Sequence, residues 1–324
     1  MKTTSTISHP QIDLPRLRRR NAETSPVCGV VRWSPVKSLS FFTLVLLALL
    51  FAPRGASPGA IFACLSLTIV TLCLGHSIGL HRLLIHRSFS CPRLLERVLV
   101  YLGVLVGMGG PYGMLYLHDV RDWAQRHPDC HPFFIHRNRL WRDAWWNLHC
   151  EIELDHPPEF RPGAEAGADR FYQFLEKTWR WQQLPLALAL YLAGGWAWVI
   201  WGICVRVPLC LTGHWLIGFL AHNTGSRDWH VHGHAVQGYN IPGLGLISMG
   251  EAWHNNHHAF PESARHGHTP RQLDPGWWVI RSLERIGLIH DVVLPENLPD
   301  RLELEALDGQ GQPGTAHGKE YPLA

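Results

Sequence analysis

Three histidines stand close together in the run from Trp253 to His258, with the sequence WHNNHH. Positions i, i+3 and i+4 of a helix lie on one face, so this spacing brings three imidazoles towards one point. Imidazole is the commonest metal-binding side chain, and it suits iron, zinc and copper. In a chain that contains 22 histidines, the run therefore predicts a metal site rather than a solvated polar turn.

Histidines recur at three other places, which the fold must bring to this triplet. His81 and His86 are five residues apart, a separation that turns about 140° around a helix of 3.6 residues per turn. They therefore serve different metals, or one site through a distorted helix end. The other candidates are His127 and His131, spaced i and i+4, and the single His222. Eight imidazoles exceed the six ligands of an octahedral ion, which predicts two metal ions.

The elements that must position these histidines are apolar. Hydrophobic residues make up 46% of the 324-residue chain and charged residues only 17%, below the usual share of about 25%. A membrane-spanning helix needs about 20 mostly apolar residues. We therefore expect an all-α, multi-pass membrane protein with two transmembrane helical hairpins, capped by a cytoplasmic helical domain that carries the histidine-rich di-metal site. The four spans are predicted near residues 39–52, 60–80, 184–205 and 207–221.

The distribution of charge predicts the orientation of the hairpins. Their turns are expected at 53–59 and at Arg206 and Pro208, and Arg54 and Arg206 are nearly the only charges there. By the positive-inside rule, both hairpins enter from the cytoplasmic side and return to it, with the N-terminus and the histidines on that side. The stretch 98–117 has the length of a fifth span, but its glycine-rich centre is a poor helix interior. We expect it not to span.

Composition also divides the chain and limits its partners. Residues 1–36 are polar and basic and are predicted to be a disordered tail, 37–303 form the membrane domain, and 304–324 form a loose tail. The N-terminal arginines indicate orientation in a lipid bilayer and not nucleic acid, because no folded basic face accompanies them. The eight cysteines include no C-x-x-C pair, which argues against a disulfide framework and a structural zinc site.

Three boxes resemble those of the membrane fatty acid desaturase family, acyl-CoA desaturase type, over roughly residues 60–278. They are HRLLIHRSF from His81, WAQRHPDCH ending at His131, and HNNHHAFP from His254. The resemblance implies a di-iron centre, O2 as co-substrate, a separate cytochrome b5-like or ferredoxin-like electron carrier, and desaturation of a long-chain acyl-CoA or acyl lipid. Carried over by position, it implies that the catalytic metal ligands are His81, His86, His127, His131, His222, His254, His257 and His258.

Two positions depart from the pattern of that family. Its second box is His-x-x-His-His, and Cys130 occupies the middle histidine position. The cysteine ligates as a thiolate, or one iron loses a ligand, or His136 or His149 replaces it. The family also has an asparagine one helical turn before the histidine of the last span. Here that residue is Gly218, with Asn223 nearby.

These departures leave alternative functions open. A hydroxylase or ketolase would use the same di-iron centre, since oxygen insertion and desaturation share the first hydrogen abstraction. A non-catalytic membrane protein would keep the fold without turnover. His76 and His214, inside predicted spans, raise a transmembrane heme as a third alternative, because polar residues within membrane helices are often functional.

Overall fold

The computed structural model describes residues 14–308. Helices dominate, as the sequence predicts, and the longest are built from apolar residues with few helix breakers. In chain order, the α-helices are α1 (Pro35–Phe51), α2 (Pro58–Val70), α3 (Arg93–Val104), α4 (Pro111–Gln125), α5 (Pro132–Ile135), α6 (Leu140–His149), α7 (Ala164–Ala168), α8 (Arg170–Thr178), α9 (Gln183–Val199), α10 (Arg206–Asn223), α11 (His254–Ala259) and α12 (Pro275–Arg285).

Other helical segments extend these helices. π-helical segments, Thr71–Ile85 and Ile200–Val205, continue α2 and α9 directly, and 3-10 turns lie at Trp179–Gln182 and Pro295–Asn297. Strands pair antiparallel two by two, which the all-α prediction did not include. The pairs are β1 (Leu17–Arg18) with β4 (Glu159–Phe160), β2 (Gly29–Trp33) with β3 (Cys150–Leu154), and β5 (Trp229–Val231) with β6 (Leu304–Ala306).

Within residues 14–308, two helical runs are long and apolar enough to cross a membrane, Pro58–Ile85 and Arg170–Asn223; α1 is apolar but shorter. Large apolar side chains on these helices point outwards, including Leu49, Phe62 and Leu192, which are 71%, 69% and 76% exposed. A continuous apolar surface of this kind is typical of contact with lipid or with another protein.

The second hairpin turns at Gly194 and Gly195, inside the long run. Gly195 has a φ of 69°, a left-handed conformation that glycine adopts without steric cost. Gln183 Oε1 accepts a hydrogen bond from Arg206 Nη2 at 3.0 Å, so the two arms run antiparallel. The turn predicted at Arg206 and Pro208 is therefore wrong. Arg206 is fully buried within the second arm. Backbone carbonyls and polar side chains accept its hydrogen bonds, so its guanidinium is satisfied there without water.

Residues 14–36 are ordered by contacts with distant parts of the chain. Arg16 Nη2 lies 2.6 Å from Asp119 Oδ1, and its Nη1 donates to the carbonyl of Ile85 at 2.9 Å. Strand β2 pairs with β3 along its whole length. The expectation of a disordered tail is therefore wrong for residues 14–36, and β6 likewise orders 304–306. Residues 1–13 and 309–324 of the two predicted tails lie outside the described residues.

The stretch 98–117 divides between two helices. Helix α3 ends at Val104 and α4 begins at Pro111, so the glycine-rich centre interrupts the helix as predicted. Helix α3 packs closely against the π-helical segment, because Gly75 has no side chain. A Cβ atom on Gly75 would lie 2.4 Å from the backbone nitrogen of Gly103. This packing fixes the segment that carries the first two candidate ligands.

Candidate metal centre

Seven histidines of the described residues form two groups at one end of the long apolar helices, and a third cluster combines His81 with Glu251 and His266. Within each group, one ligand atom of every side chain lies within 4.8 Å of the others. Nitrogens on opposite sides of one metal ion would be about 4.2 Å apart, since metal–nitrogen bonds are about 2.1 Å long. The donors therefore fit one metal ion per group. The four-histidine group is His81, His86, His118 and His257, and the three-histidine group is His222, His254 and His258.

The π-helical segment brings His81 and His86 into the same group. The backbone N–H of His86 donates to the carbonyl of His81 at 3.1 Å, an i to i+5 bond. A turn of this kind holds one residue more than an α-turn, so residues five apart share a face. The two ring centroids are 4.9 Å apart. The sequence left open whether the two histidines serve different metals or one site through a distorted helix. The structure supports the second alternative, because it places both in one group.

Helix α11 serves both groups. His254 and His258 face the three-histidine group, with their Nε2 atoms 3.0 Å apart. His257 faces the other way, and its ring centroid lies 4.5 Å from that of His81 and 4.7 Å from that of His86. The three imidazoles of the triplet therefore do not meet at one point. They join the two groups into one centre.

Helix α4 contributes a histidine that the sequence analysis missed. His118 Nε2 lies 3.3 Å from His86 Nε2. The second histidine box therefore begins at His118 and not at His127. Residues 118–122 keep the first histidine of the pattern His-x-x-His-His, and Arg121 and Asp122 occupy the positions of its other two histidines. Aligning the box on its first histidine instead of on an i, i+4 pair would have found it.

His127 and His131 belong to neither group among the described residues. His127 lies beyond the end of α4, and its ring packs against Trp123. His131 caps α5, where its Nδ1 accepts a hydrogen bond from the backbone N–H of Phe133 at 3.1 Å. Cys130 is also outside both groups. Burial raises the pKa of its thiol to about 12, which disfavours the thiolate that would bind a metal.

His136 fills the space in front of Gly218. A Cβ atom on Gly218 would lie 3.3 Å from His136 Nε2, and the imidazole packs beside the three-histidine group. The imidazole Nδ1 of His136 forms a hydrogen bond of 2.7 Å with Asp143 Oδ1. The side-chain amide of Asn223 donates a hydrogen bond to the backbone carbonyl of His136. His149 instead contacts α1. Of the substitutes that the sequence offered, only His136 approaches the centre.

The heme alternative does not fit His76 and His214. Two axial imidazoles must face a porphyrin from opposite sides, with the macrocycle between them. The two ring centroids are only 4.7 Å apart and the rings meet edge to face at 84°. Direct ring contact leaves no room for a macrocycle.

Glu251 orients His81 from behind. Its Oε2 lies 2.6 Å from His81 Nδ1, and its Oε1 accepts a hydrogen bond from Ser77 Oγ at 2.6 Å. Burial raises the pKa of Glu251, but His81, His266 and Arg82 outweigh that effect and hold the pKa well below its usual range. A carboxylate behind a histidine fixes the ring and its tautomer, which would leave His81 Nε2 free to bind a metal ion.

The electrostatics of the centre favour neutral imidazoles. Burial lowers the pKa of His86, His118, His254 and His257 well below 6.5, and that of His258 to about 3. Only the neutral imidazole offers a lone pair to a metal. These five side chains would therefore remain able to bind a metal ion well below neutral pH.

The same shifts predict how the stability of the metal-free protein depends on pH. Below pH 6.5 the unfolded chain protonates these histidines while the folded chain does not, so the free energy of unfolding falls, by up to about 1.4 kcal/mol per histidine and pH unit. Asp122, whose pKa burial raises to about 7, acts in the opposite direction but is a single group. We expect the Tm of the metal-free protein to drop between pH 7.5 and 5.5, measured by scanning fluorimetry in detergent. An unchanged Tm would contradict the conclusion that these histidines are buried in their neutral form.

The amino-acid sequence is similar to those of several known proteins. No protein-family model matches the chain. The chain is 34% identical over 268 residues to the sn-1 stearoyl-lipid 9-desaturase of Anabaena variabilis, covering 82% of this chain and 95% of that relative. It is 29% identical over 287 residues to the acyl-CoA C20 Delta5-desaturase of Anemone leveillei, covering 86% and 89%. It is 33% identical over 254 residues to the chloroplastic palmitoyl-monogalactosyldiacylglycerol delta-7 desaturase of Arabidopsis thaliana, covering 76% and 65%.

Proposed function

Because the chain belongs to the fatty acid desaturase family, we propose that it is an oxidoreductase that introduces a double bond into a long-chain fatty acyl substrate, with O2 as co-substrate. The observation that carries this proposal is the pair of adjacent imidazole groups, one of four ligands and one of three. The relatives act on acyl-CoA and on acyl lipids, according to their names. The substrate class is therefore a fatty acyl thioester or an acyl lipid.

In this proposal each group holds one iron ion. Imidazole donors suit iron, and a pair of iron ions supplies, when bound, the oxidising chemistry with O2 that side chains lack. Burial holds five of the proposed ligands neutral, His86, His118, His254, His257 and His258, and Glu251 orients His81. Electrons come from a separate carrier of the cytochrome b5 or ferredoxin type. The proposed ligand set replaces His127 and His131 with His118.

The proposal includes a multi-pass membrane arrangement. Four spans correspond to α1, to Pro58–Ile85 and to the two arms of Arg170–Asn223. The sequence has no Asp, Glu, Lys or Arg between Arg54 and Arg82, or between Arg180 and Arg206. The hairpin turns are therefore almost free of charge, whereas charged residues collect at the histidine end. By the positive-inside rule, the histidine groups and the N-terminal segment lie on the cytoplasmic side.

Product analysis tests the reaction. Cells that express the full chain, with and without His257→Ala, would be compared by mass spectrometry of their fatty acids and by metal analysis of the purified proteins. We expect fatty acids that have lost two hydrogens with the wild type alone, and iron in the wild type that the variant binds less well. A product that gains one oxygen would favour the hydroxylase or ketolase. Unchanged lipids and equal metal content in both proteins would contradict the proposal.

A further inference from the structure

Arg16, in the N-terminal segment of residues 14–36, makes three hydrogen bonds that join two parts of the metal centre. Its Nε and Nη2 donate to the carboxylate of Asp119 at 2.7 and 2.6 Å, as a bidentate pair. Its third nitrogen, Nη1, donates to the backbone carbonyl of Ile85 at 2.9 Å. The planar fork of a guanidinium can make all three bonds at once. Arg16 therefore bridges helix α4 and the end of the π-helical segment.

Both ends of this bridge lie next to candidate ligands. Ile85 directly precedes His86, and Asp119 directly follows His118. The two imidazoles face each other in the four-histidine group, with their Nε2 atoms 3.3 Å apart. The charge of Arg16 contributes to lowering the pKa of both imidazoles, as expected for a guanidinium close to the pair. A shift of either backbone position would therefore change the distance between the two ligand atoms.

The N-terminal segment holds Arg16 in place by other contacts. The carbonyl of Arg16 accepts a hydrogen bond from the backbone N–H of Arg161 at 2.9 Å. The next residue, Leu17, begins β1, which pairs with β4. Its side chain is buried and belongs to an apolar cluster that includes Trp123 of α4. The segment is therefore packed on the helix that carries His118 and does not depend on the ion pair alone.

Both acceptors of the bridge require a donor such as Arg16. The side chain of Asp119 is only 2% exposed, and Arg16 is the cation that pairs with it among the described residues. A buried carboxylate that loses its cation is strongly destabilising. Ile85 is the last residue of the π-helical segment. The last carbonyls of a helix have no partner within it, and they attract positive charge. The same cation satisfies both groups and so keeps them together.

We propose that Arg16 is a positioning residue of the four-histidine group. By fixing the residues next to them, it holds the ligand atoms of His86 and His118 at the separation that one metal ion requires. The two elements stay packed without it, since Leu84 and Leu115 belong to one buried apolar cluster. This inference rests on the metal centre of the proposed function, and it makes the N-terminal segment a part of that centre.

Titration with Co(II) tests it on the detergent-solubilised full chain after metal removal, because the visible absorption of Co(II) reports the geometry of its ligands. His222→Ala is the background, since it removes a ligand of the three-histidine group. We expect Arg16→Gln combined with Asp119→Asn to weaken Co(II) binding about tenfold or more, the range for residues that orient ligands, and to change the absorption spectrum. The double variant leaves no unpaired carboxylate, so the loss would not come from an uncompensated buried charge.

Arg16→Lys separates charge from position, because it keeps the cation beside Asp119 but loses the planar fork. We expect its Tm to stay close to that of the background protein and its affinity for Co(II) to fall about tenfold. Arg32→Gln is the matched control, since Arg32 also lies in the N-terminal segment and pairs with a carboxylate, that of Glu153, but at the surface. It should leave both affinity and spectrum unchanged.

Three results would overturn the inference. They are an unchanged affinity and spectrum in the double variant, full affinity in Arg16→Lys, which would mean that charge alone suffices, and an equal loss in Arg32→Gln. A background protein that binds no Co(II) with Arg16 in place would instead overturn the proposed metal centre.

Discussion

Replacing His118 by alanine is expected to weaken metal binding by the four-histidine group and to lower product formation at least about a hundredfold, beyond the loss typical of residues that only orient a ligand. His118 Nε2 faces His86 Nε2 at 3.3 Å, and its ring centroid is 5.4 Å from that of His81. Three ligands would remain in a buried site built for four. Metal content of the purified variant and its fatty acid products are the two measurements.

His131→Ala is the matched control, because the sequence alone favoured His131 as a ligand. In the structure it caps α5 and stacks on Trp146, so its loss should cost about 1 kcal/mol of stability and leave metal binding intact. If His131→Ala lost metal while His118→Ala retained it, the box would lie at 127–131 after all, and the ligand set drawn from the structure would be wrong.

Arg82→Met is expected to lower the free energy of unfolding by about 3–5 kcal/mol, the range for breaking a buried ion pair. Arg82 is fully buried, and its Nη2 donates to both carboxylate oxygens of Asp274, at 2.9 and 3.2 Å. Asp274 also caps α12 and accepts from the backbone N–H of His266 at 2.8 Å. Without the guanidinium, two carboxylates, Asp274 and Glu251, would be left beside the metal centre without their cation.

Thermal and chaotropic unfolding of the metal-free protein in detergent measures this loss. Arg281→Met is the control, because Arg281 also pairs with a carboxylate, that of Glu284, but lies at the surface of α12. It should change stability by no more than about 0.5 kcal/mol. Equal stabilities of the two variants would mean that the buried pair contributes no more than an exposed one.

The candidate site was predictable in part. His222, His254, His257 and His258 could be recognised as candidate ligands from residue type and position, because imidazole suits a metal ion, but the expectation that the triplet meets at one point was wrong, since His257 faces a different group from His254 and His258. His118 could not be found in this way, because the i, i+4 pair at His127 and His131 is the stronger local signal. Only the tertiary structure reveals that α4 ends before His127.

The fold, too, could be predicted where local sequence features determine it, but not where contacts between distant residues do. Apolar runs without charge predicted the long helices and the turn between α1 and α2, but not the turn at Gly194 and Gly195. Arg206 looked like a turn residue because it is the first charge after Arg180. It is instead buried by hydrogen bonds to residues as far away as Leu105. Likewise Arg16 reads as part of a loose basic tail until Asp119, 103 residues away, is found beside it.

The wide turn between His81 and His86 constrains how this chain can change in length. It accommodates a surplus residue that an ordinary α-helical repeat would not hold. Deleting one residue there would restore the ordinary repeat and leave the two histidines four residues apart, a spacing that also puts them on one face of an α-helix. Natural variants should therefore lose one residue between His81 and His86 more readily than gain one, because only a gain would need a further distortion of the helix.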